Sequence, residues 1–143
     1  DTLRGFSETP QPGIAERHRA EIDAAFGHDS MEAIVAALRG QGSDFAQATL
    51  KALGEKSPTS LKVALRLLRA ARASNSLQEC LAREYRAALQ VFDSAEFIEG
   101  VRAAIIDKDR QPKWNPARIE EVTPEIVDRY FAPRPGDRLV FPE

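Results

Sequence analysis

The chain holds one cysteine, one tryptophan and one methionine in 143 residues, and each scarcity removes a class of explanation. Cys80 has no partner for an internal disulfide and no Cys/His cluster around it for a structural zinc site. A disulfide-stapled secreted scaffold is therefore excluded, and a cytoplasmic or other reducing compartment is expected. Long apolar runs are missing too: nothing approaches the ~18 consecutive apolar residues of a membrane span. The opening DTLRGFSETPQPG lacks the basic-then-apolar order of a signal peptide, so no membrane partner is expected. Charge of one sign is absent, since 20 Lys and Arg face 22 Asp and Glu. No global field draws the chain to nucleic acid. Phosphate-binding glycine loops and H-E-x-x-H are also missing, which excludes a cofactor or metal held by a local motif. The chain does not begin with Met, which reads as a processed or cut piece of something longer.

What is present is helical periodicity. Residues 1–13, with Pro10, Pro12 and Gly13, read as a linker; 14–131 as a helical domain; 132–143 as an irregular tail. Ile14 to Phe26 predicts one helix stopping at Gly27. Asp29 with Glu32 predicts the start of a second, ending at Gly40. Ser43 or Asp44 opens a third that ends at Gly54, and Ser57-Pro58 opens a fourth that runs to about Arg72. In that fourth helix Leu61, Ala64, Leu65 and Leu68 form one stripe, and Lys62, Arg66 and Arg69 the opposite, wet one. Ser76 with Glu79 caps a fifth, in which Leu77, Leu81, Tyr85, Ala88 and Phe92 predict a long buried seam. Asp93 or Ser94 opens a sixth, whose Phe97, Ile98, Val101, Ala104 and Ile105 are expected to face inward. Thr123-Pro124 starts a last short one. With no alternating strand pattern beyond a few residues, the fold class is all-α.

Candidate chemistry is sparse. His18 and His28 fall on or beside a polar early helix and read as solvated, and Cys80 reads as inert packing on the buried side of its helix. Glu32, Glu79 and Glu96 are explained by helix starts, and Glu120-Glu121 by a solvated face. The Lys62, Arg66, Arg69, Arg72 stripe could follow a phosphate backbone, but it reads better as the wet side of an amphipathic helix. The stretch IIDKDRQPKW, Ile105 to Trp114, resists helix rules. Its Asp107 or Asp109 can pair with Lys108 or Arg110, and Trp114 between two prolines reads as the pin of a rigid loop.

Several ordered stretches resemble the 3-hydroxyisobutyryl-CoA hydrolase family, a branch of the crotonase (enoyl-CoA hydratase/isomerase) superfamily. They are Ser57-Pro58-Thr59-Ser60-Leu61-Lys62, Glu84-Tyr85-Arg86, Glu99-Gly100-Val101-Arg102-Ala103, and Ile106-Asp107-Lys108-Asp109 followed by Pro112-Lys113-Trp114. Gly42-Ser43-Asp44-Phe45-Ala46 is similar in place and spacing. The resemblance runs from about Ile14 to about Phe131. It implies a multi-helix C-terminal domain of a crotonase-type enzyme, without the spiral core.

The resemblance also implies an absence. The glycine-rich oxyanion segment and the acidic E-T-x-I-G-x-x-P-D motif of such hydrolases have no counterpart here, so no catalytic residue carries over. The implied roles are covering the upstream core, whose substrate is a coenzyme A thioester, and making subunit contacts. A C-terminal lysine of related enzymes reaches the nucleotide end of coenzyme A; Lys108 is the nearest match, with Lys113 and Arg102 next. The chain alone is expected to be inactive and, with its core partner gone, to self-associate through Leu77, Leu81, Tyr85 and Phe92. The alternatives are an enoyl-CoA hydratase or isomerase parent and a freestanding helical interaction module.

Overall fold

The computed structural model describes residues 11–136 and 139–141, and every regular element among them is helical. Residues 1–10 of the expected linker, and 137–138 and 142–143 of the expected tail, lie outside the described residues. The helices are α1 (Ile14–Arg17), α2 (Arg19–Phe26), α3 (Met31–Gln41), α4 (Asp44–Gly54), α5 (Pro58–Ala71), α6 (Leu77–Phe92), α7 (Ala95–Val101) and α8 (Pro124–Arg129). A π-helical turn, Arg102–Ile106, prolongs α7, and a 3-10 turn, Ile119–Glu121, precedes α8.

Hydroxyl caps set the helix starts. The side chains of Ser30, Ser43, Ser57, Ser76, Ser94 and Thr123 each accept the backbone N–H of the residue three further on. Each such cap contributes about 1 kcal/mol by satisfying an orphan donor. Three boundaries differ from the sequence expectation. The first helix breaks at His18, whose ring stacks on Phe45 (4.4 Å between centroids) and bonds Glu21 at 2.9 Å, so this histidine is half-buried rather than solvated. Ser30, not Asp29, caps α3. That helix passes through Gly40 and stops where Gly42 turns left-handed at φ 67°, a conformation that glycine adopts without a Cβ penalty.

Two apolar clusters hold the helices together. Ala25, Met31, Ile34, Leu38 and Ala46 form the first, with Leu50, Leu53 and Ile119 against it. Val63, Val122 and Val127 form the second, with Tyr130 and Phe131 against it. Helix α5 joins the two, giving Leu61 and Leu65 to the first and Val63 and Leu67 to the second.

A helix packed on two sides has no simple wet face, and here the amphipathic reading of α5 fails. Lys62 Nζ donates to Glu32 Oε1 (2.6 Å) on α3 and to the Val122 carbonyl (2.8 Å). Arg66 pairs with Asp128 on α8 and lies 4.3 Å over the Phe131 ring. Arg69 donates to the carbonyls of Phe26 and His28. Lys62, Arg66 and Arg69 of the basic stripe are ties from α5 to its neighbours, Arg72 stays exposed, and Glu32 is a tie partner as well as a first-turn acid. Leu68, assigned to the apolar stripe, is 67% exposed.

The larger departure lies in α6 and α7. Sixteen-residue α6 buries only Ala87, and α7 buries none. Leu77 (70% exposed), Phe92 (61%), Ile98 (66%) and Ile106 (69%) stand in solvent, together with Leu81, Tyr85, Phe97 and Ile105. Cys80 is half-exposed rather than buried. The predicted seam exists as a pattern, and nothing among the described residues covers it. Phe92 and Phe97 meet edge to face at 4.8 Å, which joins the apolar side of α6 to that of α7.

Candidate functional site

The stretch that resisted helix rules folds around Arg102. Residues Ala95 to Val101 form α7 under the Ser94 cap, and the π turn then widens the helix by one residue, with the Asp107 N–H donating to the Arg102 carbonyl (2.8 Å). Within that turn the Arg102 guanidinium gathers three carboxylates. Its Nε donates to Glu99 Oε2 (2.9 Å) and Nη2 to Glu99 Oε1 (2.8 Å), a two-point pairing. Nη1 donates to Asp107 Oδ2 (2.6 Å) and Asp109 Oδ2 (2.7 Å), and Nη2 also to the Gln111 carbonyl (3.2 Å). A guanidinium has five N–H donors, and all are spent.

Backbone groups close the loop over this centre. Asp109 Oδ1 accepts the Gln111 N–H (2.8 Å), Glu99 Oε1 accepts the Lys113 N–H (2.7 Å), and the Arg110 N–H reaches the Ala103 carbonyl (3.1 Å). Lys108 and Arg110 adopt left-handed backbones, φ 55° and 56°, which no other non-glycine residue described here shares. Such a conformation costs about 1–2 kcal/mol per residue and persists where surroundings over-determine it. Downstream, Trp114 is half-buried and lies on the glycine face of α7, where a Cβ added at Gly100 would sit 3.4 Å from its ring. The Asn115-Pro116 peptide is cis.

The expected site residues thus part company. Arg102 is enclosed by acceptors of its own loop. Lys108 and Lys113 are exposed, and neither ammonium makes a hydrogen bond or ion pair among the described residues. The pairing expected between Asp107 or Asp109 and Lys108 or Arg110 does not form, because both aspartates turn to Arg102. Glu99 stands in the sequence reading only as part of a matched stretch, with no partner assigned, although its i,i+3 spacing to Arg102 is a usable signal. Among the described residues no group of three or more His, Cys, Asp or Glu is arranged to hold a metal ion, and no helix is long and apolar enough to cross a membrane.

The network depresses its acids. Arg102, and next the Lys113 N–H, hold the Glu99 carboxyl at about 2 against an ordinary 4.5. The Gln111 N–H, and next Arg102, lower Asp109. A carboxyl lowered in the folded state lends stability that is fully present above its unfolded value and is lost as pH falls through its folded one. For Glu99 that window runs from 4.5 down to about 2. In a carbon-detected NMR titration Glu99 is therefore expected to stay ionised at pH 4, and Arg102→Gln to return its midpoint toward 4.5. A wild-type midpoint near 4.5 would contradict the network.

The described residues thus form helices with an arginine-centred loop after a π turn. Comparison with known proteins gives the chain's family. The profile of the enoyl-CoA hydratase/isomerase family matches residues 1–131, and the chain belongs to that family. Within it, the chain is similar to the mitochondrial 3-hydroxyisobutyryl-CoA hydrolases of Gallus gallus and Bos taurus. The chicken protein is 45% identical over 120 residues, 84% of this chain and 31% of the relative. The bovine protein is 41% identical over 143 residues, 99% of this chain and 37% of the relative. A solved structure, of a carnitinyl-CoA dehydratase from Mycobacterium thermoresistibile, superposes with TM-score 0.85 at 32% identity, over 94% of this chain and 38% of that one. The chain spans about a third of the length of the curated relatives it matches.

Proposed function

We propose that this chain is the helical C-terminal part of a 3-hydroxyisobutyryl-CoA hydrolase-like enzyme. In this reading the parent hydrolyses a branched hydroxyacyl-CoA thioester of valine breakdown, and the chain alone is inactive. It covers the core and its acyl-CoA cleft, and contributes subunit contacts, through the uncovered apolar side of α6 and α7. Lys108, with Lys113 beside it, meets the nucleotide end of coenzyme A, whose phosphates favour exposed cations. The observation that carries the reading is identity above 40% to named hydrolases across most of the chain while only about a third of their length is matched. The relatives named mitochondrial, together with the unpaired Cys80, support a reducing interior compartment.

The test is thiol release from 3-hydroxyisobutyryl-CoA by this chain alone, then with the separately produced upstream core added. Silence alone and activity restored by the core is the expected result. Turnover by the chain alone would overturn it. A dehydratase among the solved relatives favours one second reading, a hydratase-type parent. Product analysis of the full enzyme separates the two: free hydroxy acid and thiol for the hydrolase, a hydrated or dehydrated thioester for the rival.

A further inference from the structure

We propose that Arg102 is a positioning residue that holds Lys108 and Arg110 for the phosphates of the acyl-CoA substrate, with Arg110 as a second anion contact. This rests on the reading above that the loop meets the nucleotide end of coenzyme A.

The argument begins with donor counting. Arg102 has given all five N–H groups to Glu99, Asp107, Asp109 and Gln111, so it has none left for a phosphate oxygen. What it does instead is remove carboxylates from the cations between and beside them. In the run Asp107-Lys108-Asp109-Arg110 both aspartates are drawn onto one guanidinium, and the two alternating cations are left exposed and without ion pairs. A solvated loop left to itself would let each cation pair with its neighbours and would relax out of the left-handed region. Here the two left-handed residues are those two cations, and they are fixed from both sides, by Asp107 and Asp109 on Arg102 and by the Arg110 N–H on Ala103. Two cations held in fixed backbone conformations and left without carboxylate partners are preorganised to meet an anion.

Surroundings agree with the charge pattern. Arg110 borders a cavity of about 440 Å³ shared with Lys56, Pro112 and Trp114. Lys56 also makes no ion pair among the described residues, so the cavity carries two uncommitted cations beside an indole and apolar walls. Glu55 is the one carboxylate on its lining, so the two cations outnumber it, and a cationic rim beside an indole suits a flat, phosphate-bearing group better than an acyl chain.

The experiment compares steady-state kinetics of the full-length enzyme on an acyl-CoA and on the matching acyl-pantetheine, which lacks the phosphoadenosine portion. The readout is the ratio of the two KM values, with thermal melting of each variant alongside. Lys108→Ala and Arg110→Ala are each expected to raise that ratio about tenfold, as befits loss of one charge-assisted contact. Arg102→Gln is expected to raise it at least as much, although Arg102 touches no substrate. Arg102→Lys should not rescue, because an ammonium brings three donors where five are used. Asp109→Asn is the milder variant should Arg102→Gln fold poorly, and it should raise the ratio in the same direction.

Each other result decides something different. An unchanged ratio in Lys108→Ala and Arg110→Ala would overturn the coenzyme A reading itself. A raised ratio in those two, with no change in Arg102→Gln and Asp109→Asn, would overturn only the positioning role. Loss of both substrates in parallel on Arg102→Gln and Asp109→Asn, with lowered melting temperatures, would reduce Arg102 to a brace and overturn the inference equally.

Discussion

The isolated chain should self-associate as its concentration rises, and Leu77→Glu with Ile98→Glu should return it to a clean monomer. Both side chains are about two-thirds exposed or more, so their replacement removes little packing from the chain itself. Both also sit in the first turn of a helix, α6 and α7, where a carboxylate is favoured by the helix dipole. The folded chain is therefore expected to change by no more than about 0.5 kcal/mol in urea melts. Its association should change far more. Burying a Leu or Ile side chain is worth about 1.5–3 kcal/mol, so two lost anchors and two introduced charges weaken docking by more than about 3 kcal/mol, over a hundredfold. Sedimentation at two concentrations reads the self-association, and titration with the separately produced core reads the intended partner. A wild-type chain that stays monomeric at both concentrations, and is untouched by the core, would show that this face seeks nothing and would remove the physical basis of the covering role.

The same face marks what a sequence can and cannot express. The i, i+4, i+8, i+15 spacing of Leu77, Leu81, Tyr85 and Phe92 identifies one side of a helix as apolar, and it is. Periodicity says nothing about which surface lies against that side, so an uncovered seam and a buried one read alike. Starts of helices were legible because a hydroxyl one residue before the first turn has a local physical role; Ser43, Ser57, Ser76, Ser94 and Thr123 cap as their spacing implies. The errors were local competitions. Asp29 and Ser30 offer adjacent caps, Gly40 and Gly42 adjacent stops, and which one wins depends on where the chain must turn.

The arginine centre was legible only in part. Aspartates at 107 and 109 beside Lys108 and Arg110 suggest neighbour pairing, since charges adjacent in sequence appear adjacent in space. The π turn defeats that expectation by bringing Asp107 and Asp109 back onto Arg102, several residues earlier. Nothing in the residue types announces a left-handed Lys108 or Arg110, because neither is glycine or asparagine. The composition of the segment marks it as more than a helix stop, and only the fold distinguishes the cation that organises the loop from those left without ion pairs.

The second large effect is expected at Leu38. It is fully buried in the C-terminal half of α3, in the cluster with Ala25, Met31, Ile34 and Ala46. Leu38→Ala should cost about 2–5 kcal/mol, the transfer term plus the cavity left behind. Native domains hold only about 5–15 kcal/mol in total, and this one has little in reserve: of the ten buried hydrophobic residues among those described four are alanine. The variant should therefore lose its cooperative urea transition or shift it to a far lower midpoint, while Leu68→Ala, at a position 67% exposed on the neighbouring α5, should stay within about 0.5 kcal/mol of wild type. Equal shifts for the two would mean that the first cluster is not the core. The comparison also tests how the candidate site is supported. Ile119 packs on that cluster, and its turn follows Trp114 and the loop around Arg102. The α7 network itself rests on contacts within residues 99–113. If the loop is an independent local structure, Glu99 should keep its low titration midpoint in Leu38→Ala under conditions where the helices persist. If the midpoint rises toward 4.5 in step with the loss of the cluster, the core of α2, α3 and α4 is what holds the loop in shape, and the cations at 108 and 110 are only as well placed as Leu38 allows.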